Sequence, residues 1–137
     1  MSVADLDAWP VVARIWQTVD VDRTVADLGL PTEPIADDKV LSAHGVLVRP
    51  PDGPPVAIVE PSTEGRLAAT LARHGEGHAG TYVAPVGGAD DARGAGLRVI
   101  EDGPGPFGRS TLVAAPGADR WSPFIVIVAP PAATIEP

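Results

Sequence analysis

The apolar and polar positions fall into two rounds of short elements. Val11–Val19 is β-branched and aromatic and predicts a strand. Asp20 follows as a helix N-cap, and Val21, Val25 and Leu28 form one apolar stripe before Gly29 and Pro31 stop the helix. Residues 30–39 are polar and predict a connection or a weak strand. Val40–Arg49 and Val56–Glu60 predict a hairpin around the turn Pro50-Pro51-Asp52-Gly53-Pro54-Pro55. Pro61-Ser62-Thr63-Glu64 predicts the opening of a helix capped by Ser62 or Thr63. Leu67, Ala68, Leu71 and Ala72 are expected on its buried face, with Arg66, Thr70 and Arg73 wet, and Gly75 ends it.

The second round repeats this order. Gly80–Val86 predicts a strand, 87–96 a poor helix, and Leu97–Glu101 a short strand. Gly103–Gly108 predicts a turn, and Arg109–Ala115 and the nearly all-apolar Pro123–Val128 predict two more strands. The Pro-rich tail after Ala129 is expected to fray. The fold class is therefore α+β, built from two β-α-β-β-β modules. Module one covers about 10–61, a linking helix about 62–75 and module two about 78–130 of one domain, 1–137.

Composition narrows the chemistry. The chain has no Cys, so thiolate ligands and cysteine nucleophiles are excluded, and its three His are His44, His74 and His78. A net charge of -8 disfavours nucleic acid and anionic membrane surfaces. Neither a signal peptide nor a membrane-spanning apolar run is visible, which makes a cytoplasmic protein the expectation. The 15 Gly and 16 Pro suit the turns of many short strands and exclude a plain helical bundle.

The order of elements resembles the vicinal oxygen chelate superfamily, which includes glyoxalase I, bleomycin-resistance proteins, extradiol dioxygenases and methylmalonyl-CoA epimerase. The stretch Val56–Gly77, VAIVEPSTEGRLAATLARHGEG, is similar to the family's end-of-module strand, linking helix and turn, and to the epimerase linker in particular. Thr18–Arg23 resembles its turn from first strand to first helix. The resemblance implies curved mixed sheets around a cleft and a metal held by His, Gln or Glu at four positions. Those positions fall on Ala13, Ala57, Gly80 and Val126, none of which offers a donor. Neither a metal nor another cofactor is expected.

The resemblance then implies a metal-free, bleomycin-resistance-like protein. It would bind a hydrophobic small molecule, a natural product or antibiotic, for sequestration or self-resistance, as a homodimer. The alternative is a cofactor-free isomerase, epimerase or cyclase acting on a secondary metabolite or acyl thioester. Strand alternation puts Ile15 and Gln17 on the face of Ala13, Val59 on that of Ala57, and Tyr82 on that of Gly80. With His44, Trp121 and Val126 these residues are the expected ligand-binding set. His44, Tyr82 and Asp20 are the candidates for proton transfer. Glu60 points away from the metal positions and reads as structural. Ser110 and Ser122 lack an elbow-type Gly frame, so the spacing suggests no serine triad.

Overall fold

The structure, a computed structural model, describes residues 9–129. The expected frayed tail, 130–137, lies outside the described residues. Module one consists of β1 (Val11–Gln17), α1 (Val21–Leu28), β2 (Thr32–Pro34), β3 (Ala43–Val48) and β4 (Val56–Pro61). Helix α2 (Arg66–His74) links it to β5 (Gly77–Val83), α3 (Ala89–Gly94), β6 (Arg98–Gly105), β7 (Gly108–Ala114) and β8 (Phe124–Val128). All eight strands share one curled mixed sheet in the order β2-β3-β4-β1-β5-β8-β7-β6. The two halves of that order match strand for strand. In each, the first and last strands of the module run parallel, β1 beside β4 and β5 beside β8, and the halves join where β1 meets β5 antiparallel.

Helix α1 forms as its sequence dictates. Asp20 accepts a hydrogen bond from Arg23 N at 3.1 Å, Val21 is buried against Val48 and Ile58, and Gly29 closes the helix at φ 66°. Helix α2 starts later than expected. Neither Ser62 nor Thr63 caps it; Gly65 precedes it without a side-chain cap, and Leu67 N bonds Leu41 O at 3.2 Å. Its buried residues are Leu67 and Thr70, so Thr70, expected to be wet, faces inward and Ala72 is exposed. Residues 103–105, expected in a turn, belong to β6, and the turn narrows to Pro106-Phe107. Pro34 and the ion-paired Glu33 lie on the short edge strand β2, which discourages pairing with another chain.

Helices α1 and α3 cover the outer face of the sheet, over Ile58 and Val48 in one half and over Val83, Val113 and Ile127 in the other. The inner face carries the largest core. There Ala13, Ile15, Ala57, Val59, Tyr82 and Val126 pack under Val40, Leu41, Ile35, Leu67 and Phe107.

Candidate functional site

Strand register brings the four expected metal positions together on the inner face. Ile15 lies opposite both Ala57 and Gly80, Ala13 opposite Tyr82, and Tyr82 opposite Val126. The residues there do not fit a metal. Ala13, Ala57 and Val126 are 0% exposed and supply no donor. At Gly80 an added Cβ would lie 2.3 Å from Phe124 O, so β5 and β8 are too close for a ligating side chain. Among the described residues, no three or more His, Asp or Glu side chains gather in metal-binding geometry.

The same face is closed over its centre. The turn at 38–41 drives Val40 and Leu41 into it, and one buried carboxylate holds that turn. Asp38 Oδ1 accepts from Val40 N and Leu41 N at 2.9 and 2.7 Å, and Oδ2 accepts from the Tyr82 hydroxyl at 2.7 Å. Tyr82 also stands edge-to-face with Phe107, centroids 5.1 Å apart. Burial, and after it the charge and hydrogen bond of Asp38, push the Tyr82 hydroxyl well above its usual range. Gln17 is buried at the end of β1, donating from Nε2 to Gly75 O at 2.9 Å while its Oε1 has no partner.

Toward β6 and β7 the inner face opens. A cleft of about 700 Å³ lies between α2, the ends of β6, β7 and β8, and the loop 115–123. Its apolar wall is Ile100, Leu112, Phe124, Ala69 and Trp121, and its polar groups include Arg66, Arg98, Arg120, Thr70, Ser122 and Asp119. Trp121 fastens the loop to the end of α2. The Arg73 and Arg120 guanidiniums each lie 4.8 Å from its ring centroid, and His74 meets it edge-on at 6.2 Å. Asp119 Oδ1 accepts from Trp121 N at 2.9 Å and shapes the turn.

Of the expected binding set, Trp121 lines this cleft. Ala13, Ile15, Gln17, Ala57, Val59, Gly80, Tyr82 and Val126 do come together as strand alternation predicts, but inside the closed centre. His44 departs from the set. It pairs with Glu60 across β3 and β4 and points to the outer face. Asp20 is occupied as the α1 cap. The cleft escaped the sequence because the loop 115–123 carries no periodicity. Trp121 was its one legible signal.

No family model and no curated protein matches the chain. Solved structures do. A variant of Streptomyces coelicolor methylmalonyl-CoA epimerase in complex with 2-nitronate-propionyl-CoA matches 90% of this chain and 99% of its own, at TM-score 0.70 and 20% identity. The Mycobacterium tuberculosis methylmalonyl-CoA epimerase matches 88% of this chain and 87% of its own, at TM-score 0.68 and 16% identity. A hypothetical protein from Bacillus halodurans matches 92% and 97%, at TM-score 0.68 and 14% identity.

The chain has the fold of the methylmalonyl-CoA epimerases.

Within that vicinal oxygen chelate fold, this chain combines a donor-free centre with an arginine-lined cleft to one side. Among the described residues, no helix is long and apolar enough to cross a membrane.

Proposed function

We propose that this protein binds an apolar small molecule carrying one anionic group in the cleft beneath Trp121. The observation that carries the reading is the cleft itself. Its volume of about 700 Å³ suits a small organic ligand, with mostly apolar walls and a few polar groups at the rim. Arg98 and Arg120 supply the positive charge for a carboxylate or phosphate, Arg66 being paired with Glu101 at 2.9 Å, and Trp121, held between arginines, borders the apolar wall. Asp119 is the one carboxylate among the lining residues, and it is committed to its turn. Proton abstraction therefore has little support in this cleft, whereas binding and sequestration need no catalytic group.

The test is a thermal-shift and tryptophan-fluorescence screen against apolar natural products, each with and without a carboxylate. A ligand at 100 times its Kd should stabilise the protein by about 2.7 kcal/mol. Trp121→Ala should weaken binding at least about tenfold while the free protein stays folded. Absence of any saturable shift across the panel would remove the reading.

A second reading is cofactor-free isomerisation of an acyl thioester. Two of the similar structures favour it, since they are methylmalonyl-CoA epimerases in complex with 2-nitronate-propionyl-CoA and with methylmalonyl-CoA. Incubation with methylmalonyl-CoA in deuterated water separates the two. Exchange at the α-carbon would replace sequestration with turnover; binding without exchange would retain it.

A further inference from the structure

On the outer face, away from the cleft, three side chains form a chain of contacts. His44 and Glu60 stand directly opposite each other in the β3–β4 register, and Ser62 follows Glu60 by two residues on the same side. His44 Nδ1 lies 2.7 Å from Ser62 Oγ. His44 Nε2 lies 3.4 Å from Glu60 Oε2, and Glu60 Oε1 is anchored by Val21 N at 2.8 Å. A hydroxyl, an imidazole and a carboxylate are therefore in sequence, the first two hydrogen-bonded and the last two at ion-pair distance, with the carboxylate itself held by α1. The negative charge of Glu60 beside Nε2 favours the tautomer that carries its proton there, which leaves Nδ1 as an acceptor for the serine hydroxyl.

Ser62 is held and reachable. Its backbone N–H donates to Ser42 O at 2.9 Å, and Ser42 turns the chain there at φ 58°, in the left-handed region. The Ser62 side chain is exposed and borders a shallow pocket of about 100 Å³, lined also by Lys39, Ser42, Ala43 and Thr63 and by two carboxylates, Asp37, paired with Lys39, and Asp38, engaged by Val40, Leu41 and Tyr82. At about 30 Å³ per water, that space holds roughly three waters, the size of an acetyl group.

We propose that Ser62, His44 and Glu60 form a second site that hydrolyses esters of short acyl groups. Ser62 Oγ attacks the acyl carbon and its proton passes to His44 Nδ1. The ester C–O bond breaks and the leaving alcohol takes that proton, leaving an acyl-Ser62. Water then attacks with His44 as base, releasing the acid and restoring the serine. Glu60 is a positioning residue. Glu60→Gln removes the negative charge that favours a proton on Nε2, which shifts the His44 proton toward Nδ1 and weakens the acceptor for Ser62.

The experiment uses the full chain, a fluorophosphonate probe and p-nitrophenyl esters, with peptide mass spectrometry to place the label. The expected result is one label per chain on Ser62 and a p-nitrophenol burst of about one equivalent from the acetate. His44→Ala should slow labelling at least about 100-fold, and Glu60→Gln at least about tenfold at an unchanged melting temperature. His44→Gln, which keeps a polar planar side chain, serves if the alanine variant is unstable. An unlabelled Ser62, or labelling at the wild-type rate in a folded His44 variant, would overturn the proposal. The cleft ligand screen does not touch these residues, so the two tests fail independently.

Discussion

Gly80 illustrates how far one residue can decide a site. Its lack of a side chain is a packing requirement between β5 and β8 as well as an absent ligand. Gly80→Ala should therefore cost about 3 kcal/mol, read as a lowered urea midpoint at constant m-value. Tyr82 makes the opposite kind of contribution, a polar group buried with its partner. Tyr82→Phe leaves Asp38 Oδ2 without its donor and should cost about 2 kcal/mol. Tyr82 is also the chain's one tyrosine. Its folded pKa is raised above the ordinary 10.0, so its contribution is complete below about pH 10 and lost as pH climbs from there. Denaturant titrations on either side of pH 10 should show that loss in the wild type, and Tyr82→Phe should lack it. At this scale the sequence was legible by parity. Ala13, Ile15, Gln17, Gly80 and Tyr82 share a face because alternate strand residues must. His44 was not legible in the same way, because its direction depends on its register with Glu60, which only the folded hairpin sets.

Elements are tied together at their ends, and the clearest tie runs through the turn before β5. Glu76 accepts from Val19 N at 2.9 Å and from the Thr18 hydroxyl at 2.7 Å, and it pairs with Arg23. Those bonds, the backbone one foremost, bring its carboxyl from 4.5 down to about 2. The resulting stabilisation is present above pH 4.5 and disappears as pH falls toward about 2. Glu76→Gln should flatten the acid limb of a pH–melting profile, while Glu64→Gln, a control at an exposed position, should leave it unchanged. Local signals found α1 because cap, stripe and stop agree. They misplaced the start of α2 because Ser62, an apt cap by type, is instead engaged by His44. They also put Gly103-Pro104-Gly105 in a turn. Pairing with Arg109 and Ser110 keeps these residues extended, as tertiary context overrides turn chemistry.

For the whole molecule, the internal repeat was readable in the order of elements, and the sheet confirms it strand for strand. The asymmetry between halves was not readable. Over the centre, the turn braced by Asp38 fills the inner face. Over module two, the loop pinned by Trp121 roofs an open space instead. That difference comes from long-range packing of two irregular segments, for which a one-dimensional pattern holds no period.

The stack of Arg73, Trp121 and Arg120 has a further consequence when set against the charge of the chain. The molecule carries -8 overall, yet Arg73, Arg98 and Arg120 stand around one opening, beside an Arg66 that is paired with Glu101. An approaching anion meets a net-negative molecule and finds positive charge gathered at this opening. Selectivity thus begins during the diffusional encounter, before any contact is made, and capture should slow as added salt shortens the reach of the field.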